Sequence, residues 1–384
     1  LTRKGKIIII IQIICMLMLP GCQVQELNQS VVVSGLGVEL EEDQLRISMQ
    51  MARPALPGQG SSAGESSFEV VSETGRSLTE GLRKIILLFP RSPLLSQANL
   101  LVLGENLAQT DLAWIADAVL RNPDIRKNAT VVIARGSTPE EILNTEVLME
   151  SLSAAAIPRM LENQESQLGI YQEVNLDKLL NNLARSGIEA VVPAISLFES
   201  NNGQAIRLDG TAVFKGRKMV GYLNPDQSRG LRYLTPGRTQ GGLINIPAPF
   251  AGEGRVGIEI IRSQTRVEPV NVDGQIVMRI NYSGEGNYYE QTSAQDILRL
   301  KNIPVLEGMI GDEIEKDMMA CIQQAQKLGS DILGWGAMVN ARDHALWQEI
   351  ESDWEDIFPE VKTEIKVDFQ LRRTYLTDRS LVYQ

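Results

Sequence analysis

Histidine occurs once in the 384 residues, at His344, and cysteine three times, at Cys15, Cys22 and Cys321. A Ser-His-Asp or Cys-His nucleophile would have to use His344, and a histidine-based metal site would lack a second imidazole. No P-loop, His-Glu-x-x-His motif or EF-hand loop is present. Basic charge is also short: 37 Lys and Arg face 48 Asp and Glu, a formal net charge of −11 that suits nucleic acid and anionic surfaces poorly. Aromatic residues make up only 5%, so the cores must be mostly aliphatic. The apolar run from Ile7 to Leu19 is 13 residues long and interrupted by Gln12, short of the about 20 that a membrane-spanning helix needs.

That run follows the basic cluster Arg3, Lys4 and Lys6, and the small residue Gly21 stands directly before Cys22. This is the layout of a cleaved secretory signal. Leu19-Pro20-Gly21-Cys22 has the form of a bacterial lipobox, in which diacylglycerol alkylates the thiol and the chain is cut so that Cys22 becomes residue one. Acyl burial at roughly 0.8 kcal/mol per CH₂ makes one chain a marginal hold and two or more a stable one. Residues 1–21 are expected to be a lipoprotein signal peptide and Cys22 the lipidation site. Losing them leaves 34 Lys and Arg against 48 Asp and Glu, a formal charge of −14, so the anchor has to be lipid rather than a basic patch. Cys321 is then the one ordinary cysteine, which excludes an intrachain disulfide and a cysteine-based zinc cluster.

The remaining chain of about 360 residues is too long for one ordinary core and predicts two or three domains. Val31–Leu40 and Gln44–Met51, separated by Glu41-Glu42-Asp43, read as a hairpin. Phe68–Ser72 is a short strand, and the apolar spacing from Leu78 to Phe89 is helical, with Pro90 as its stop. "PALPGQGSSAGESS", residues 54–67, reads as a flexible loop. Strands at 99–103 and 130–134, alternating with helices, form a small α/β unit with a parallel pair. Its last helix is expected to be capped by Ser137 with Glu140 in a capping box. Helices follow over 152–164, with a kink or restart at Pro158, and 175–186, then a strand over 189–199.

The turn "SNNGQ", residues 200–204, marks the expected domain boundary. Beyond it come a hairpin turning at 215–217, strands at 256–261 and 276–282, and a periodic helix over 305–328 that Gly329 ends. Leu306, Ile310, Ile314, Met318, Cys321, Ala325 and Leu328 form its buried stripe, with Asp312 and Lys316 paired on the wet side. The last strand alternates from Val361 to Arg372 and is expected to be antiparallel with one wet face. The C-terminal half is thus α+β, an antiparallel sheet with long helices packed on one face.

Chemistry is sparse. Gly252-Glu-Gly254-Arg-Val-Gly257 matches the dinucleotide fingerprint but runs into a β pattern rather than a helix, which argues for a turn. Glu140-Glu141, and Glu349 with Glu351, fit solvated helix faces. Cys321 fits a small buried hydrophobe. Trp335, Trp347 and Trp354 could form a partner-binding patch, but their spacing beside a sheet fits core better. No catalytic residue, metal site or cofactor is expected.

Four segments in series resemble the Ger(x)C family, the lipoprotein C subunit of the nutrient germinant receptors of spore-forming bacteria. "LPGCQVQELNQSVVVSGLGVELEED" resembles its lipobox, connector and first strand through Val33, Gly35, Gly37, Val38 and Glu39, with Gln23-Val24 where the family has Trp-Asp. The stretch from Leu100 to Leu143 is similar to its strand-helix-strand segment, including Gly104-Glu105 and Arg121. "LDGTAVFKGRKMVGYL" resembles the start of its C-terminal domain. Gln326, Asp331, Ile332, Gly334 and Gly336, followed by Trp347, Trp354 and Phe358-Pro359, are similar to its Gln-x(4,5)-Asp-[Ile/Leu]-x-Gly-x-Gly signature. The resemblance implies a three-domain fold: within an N-terminal region 22–204, a small sheet domain (22–53 plus 187–204) and an α/β domain (54–186), then the C-terminal domain 205–384. It implies attachment through Cys22 to the outer face of the inner spore membrane, partnership with the A and B subunits, and no enzymatic activity. The alternative from the residues is a solute-binding lipoprotein of a transporter, followed by a lipoprotein hydrolase.

Overall fold

The computed structural model describes residues 30–53, 68–88, 90–147, 150–201, 203–249, 254–292, 297 and 300–374. The expected signal segment at 1–21, Cys22 and the stretch 54–67 that the sequence reads as a loop lie outside these residues. The architecture is α+β, built on two sheets.

The first sheet begins with the hairpin β1 (Ser30–Glu41) and β2 (Gln44–Ala52), joined antiparallel to β3 (Phe68–Gly75). Helix α1 (Leu78–Lys84) follows, capped by Ser77, and passes through a 3-10 turn at Ile85–Leu87 to the short strand β4 (Ser92–Leu94). β5 (Leu100–Gly104), helices α2 (Glu105–Thr110) and α3 (Ala113–Arg121), β6 (Thr130–Ala134) and helices α4 (Pro139–Asn144), α5 (Ser153–Gln167) and α6 (Leu176–Ala184) form the α/β portion. The expected parallel pairing of β5 with β6 is present. β7 (Val191–Ser200), β8 (Gly203–Lys215) and β9 (Lys218–Leu223) close the sheet, whose order is β3-β2-β1-β5-β6-β7-β8-β9 with β4 beside β1.

Alternation sends Leu101 and Leu103 of β5 to one core, with Leu82, Leu107, Ile115 and Leu179, while Leu100 and Val102 join Ile142, Leu143, Ile157 and Leu161 on the other. Burial on both faces is what central parallel strands require. β1 achieves it with glycine: a Cβ at Gly35 would stand 2.8 Å from Ala154 Cβ, and one at Gly37 2.8 Å from Pro139 Cβ. Helices α4 and α5 therefore press directly onto the β1 backbone.

The expected capping box shifts. The cap of α4 is Thr138 rather than Ser137, reciprocated by Glu141 rather than Glu140, because Pro139 takes the first helical turn and moves the box one residue on. The turn at 200–204 joins β7 to β8 in an antiparallel hairpin of the first sheet, which also holds the strands of 30–52, 100–134 and 191–200.

The second sheet starts after α7 (Pro225–Leu234) with β10 (Gly237–Gln240) and β11 (Leu243–Pro247), both paired to β12 (Arg255–Val272). β12 and β13 (Gln275–Gln291) form a long hairpin at Asp273-Gly274, both at positive φ, the geometry that a two-residue hairpin turn favours. Helix α8 (Ile303–Leu328) lays Leu306, Ile310, Ile314, Met318, Cys321 and Ala325 into this core. Lys316 pairs with Glu313 at 2.8 Å rather than with Asp312. Short helices α9 (Trp335–Arg342), α10 (His344–Ile350) and α11 (Trp354–Ile357) lead to β14 (Lys362–Thr374). β14 alternates as expected, but it pairs with β13 in parallel, not antiparallel. The helical stretch from α8 onward is the crossover that parallel pairing demands.

Candidate functional site

Cys22 stands eight positions before Ser30, where the described fold begins. Ser30, Val31 and Val32 pair in parallel with Ser92, Pro93 and Leu94 of β4. The chain thus enters the fold at the β1–β4 corner, and a fully extended linker of eight residues spans at most about 28 Å.

The most tightly built cluster is the seam between the two sheets, formed by the signature at 326–336. Gly329 ends α8 at φ +60, in the left-handed region where glycine costs least. Gln326 then donates to the carbonyls of Phe358, at 3.4 Å, and Val361, at 2.8 Å. Asp331, 5% exposed, points its carboxylate into the start of α9: Oδ1 accepts from Trp335 N at 3.0 Å and Oδ2 from Gly336 N at 2.8 Å and Trp354 Nε1 at 3.0 Å. Burial pushes the Asp331 carboxyl up to about 6, against these hydrogen bonds, which favour its charged form.

The same stretch grips the first sheet. Glu189 N donates to Asp331 O at 2.9 Å, Ala337 N to Gly187 O at 2.7 Å, and the Ser330 hydroxyl to Phe214 O. The Glu189 carboxylate accepts from Gly216 N at 2.7 Å, and burial pushes it up to about 7. Around this seam Trp335 packs on Phe358 at 5.6 Å and Trp347 on Trp354 at 5.5 Å. All three tryptophans are buried, as core rather than as an exposed patch. A second tie joins the halves where the buried Arg232 guanidinium donates to the carbonyls of Gly241 and Glu165, the latter at the end of α5.

The groups singled out for chemistry are dispersed. His344 is exposed and hydrogen-bonded to Asn340 and Gln348, one turn away on either side. Cys321 is fully buried, and burial pushes its thiol up, away from the thiolate a nucleophile needs. Glu140 pairs with Arg46 at 2.7 Å, and Glu349 and Glu351 are exposed. Gly254 and Arg255 of the glycine-rich stretch lead into β12, with Gly252 outside the described residues. Among the described residues no group of three His, Cys, Asp or Glu side chains is placed to hold a metal, and no helix is long and apolar enough to cross a membrane.

Sequence reasoning missed a charged row on the second sheet, where Glu285 is bridged by Arg262 and Arg372. It also missed the Arg229–Asp317 pair at 2.7 Å, which joins α7 to α8. Strand alternation could have aligned the first set. Nothing local in the sequence brings together the second pair, 88 positions apart.

These features define a two-sheet α+β protein whose halves are joined by backbone hydrogen bonds from a segment that a buried carboxylate holds in shape. The N-terminal domain model of spore germination proteins matches residues 23–197, and the model described as spore germination B3/GerAC like, C-terminal, matches residues 209–375. The chain belongs to this Ger(x)C family. It is 24% identical to spore germination protein KC of Bacillus subtilis (strain 168), over 98% of this chain and 97% of that protein. Identity to the putative spore germination protein YfkR of the same organism is 23%, over 92% of each chain, and to spore germination protein GerQC of Bacillus cereus 23%, over 82% of this chain and 85% of that one. The crystal structure of the GerBC protein shares the fold, with a TM-score of 0.57 at 18% identity, over 88% of this chain and 96% of that one.

Proposed function

We propose that this chain is the lipid-anchored C subunit of a nutrient germinant receptor, required for nutrient-triggered spore germination. It is held by acylated Cys22 to the outer face of the inner spore membrane and works through contacts with the receptor's A and B subunits. Co-linear similarity over nearly the whole length to proteins named for spore germination carries this reading. The lipobox supports the anchor. Confinement to a surface raises effective concentration near partners, so the lipid governs assembly without adding a protein contact.

Cys22→Ala is the direct test. The expected outcome is loss of the chain from spore membranes and slower germination on nutrients, with germination by a non-nutrient trigger intact. Normal nutrient germination in spores whose Cys22→Ala protein has left the membrane would refute the reading.

A further inference from the structure

The 3-10 turn after α1 exposes side chains that a water-facing surface does not need. Leu87 is 84% exposed, Leu88 50% and Ile86 48%, on consecutive positions. Three adjacent large aliphatics held in water are unusual where scattered single ones are not.

Two independent observations say what covers them. The first is position: Ile86 lines an open groove together with Ser92, Pro93 and Leu94 of β4, the strand that pairs with the first three residues of β1. Val32, 40% exposed, stands opposite Leu94 in that pairing. The apolar turn therefore lies at the corner where the tether from Cys22 enters. The second is charge. The stretch from Arg76 to Arg91 carries Arg76, Arg83, Lys84 and Arg91 against the single acid Glu80, in a chain whose formal charge is −11. Glu80 is occupied by Lys84 at 3.0 Å, while Arg83 and Arg91 are exposed and make no ion pair among the described residues.

We infer that the turn Ile86-Leu87-Leu88 inserts into the headgroup region of the membrane, with Arg83 and Arg91 on anionic lipid phosphates, and so fixes how the tethered protein faces the bilayer. This rests on the lipidation of Cys22. An acidic body approaches an anionic surface most readily through a corner that is locally basic and apolar. The lipid supplies the attachment and the turn selects the orientation.

The test uses the full lipidated chain in vesicles of phosphatidylcholine and phosphatidylglycerol. Cys15 leaves with the signal, Cys22 is acylated and Cys321 is buried, so a polarity-sensitive dye on Leu87→Cys labels one site. Asp43→Cys, exposed in the turn at the opposite end of β1 from the tether, is the reference. The expected result is a blue-shifted Leu87 dye, quenched at least threefold more by acyl-brominated lipid than the Asp43 dye. Omitting phosphatidylglycerol, or introducing Arg83→Glu with Arg91→Glu, should reduce that quenching. Equal, weak quenching at both sites in protein that floats with the vesicles overturns the insertion and leaves the anchor standing, as it would if a protein partner covered the turn. Protein that does not float overturns the anchor itself.

Discussion

Trp354 Nε1 donates to Asp331 Oδ2 across 3.0 Å, on the oxygen that also takes Gly336 N at 2.8 Å. One carboxylate thereby fixes the start of α9 and the indole of α11, while its own backbone carbonyl holds Glu189 of the other sheet. Asp331→Ala strands two helix amides and an indole N–H in the core and should cost about 3 kcal/mol, read by chemical denaturation. Trp354→Phe removes one donor and should cost about 1 kcal/mol beyond its packing loss.

Gly336 has no room for a methyl group: a Cβ would stand 2.7 Å from Gly187 Cα and from Trp347 Cη2, and 2.8 Å from Trp354 Nε1. Gly336→Ala should destabilise by about 1–3 kcal/mol through overpacking and perturb near-UV circular dichroism from the tryptophans. Gly308 in α8 is the contrasting site, where an added Cβ would meet no atom within 4 Å. Gly308→Ala should leave those signals unchanged and stabilise the helix by about 0.5–1 kcal/mol.

Glu189 gives the seam a pH dependence. Its carboxyl is raised from 4.5 to about 7 by burial, and the neighbouring Asp331 and Glu355 push in the same direction while Lys215 opposes. A group whose folded value lies above its unfolded one favours folding most below about 4.5, and that contribution is lost as pH climbs through 7. Thermal melts from pH 4.5 to 8 should therefore show Glu189→Gln gaining on the native sequence as pH rises.

Asp317 is buried and its partner Arg229 nearly so. Asp317→Ala leaves the Arg229 guanidinium with only the exposed Asp226, 2.9 Å away, and should cost about 2–3 kcal/mol, whereas Asp317→Leu combined with Arg229→Met should recover most of that loss. A double-mutant cycle in denaturant measures the coupling.

Periodicity made the elements legible. The β1–β2 hairpin, the β5–β6 pair and the buried stripe of α8 all stand where residue spacing puts them, because each is decided by neighbours in sequence. Direction and partnership are not local. The alternation from Val361 to Arg372 is identical for a parallel or an antiparallel neighbour, so it shows β14 as a strand without orienting it. β12 and β13 run well past the short strands at 256–261 and 276–282, because their full reach depends on each other and on β14. At the seam, the residues of the signature stand out in the sequence, while their roles as carboxylate clamp and close glycine contact depend on Gly187 and Glu189, about 150 positions earlier.

The parallel partnership of β13 and β14 also sets a schedule. Val277 waits for Lys362, 85 positions later, and through that interval the second edge of a 17-residue strand has no mate. Such late, distant pairing slows folding, and an open strand edge can recruit another copy of the chain. Newly made protein is thus most vulnerable to aggregation before β14 docks, and variants that delay α8 should lower yield even where the finished molecule is sound.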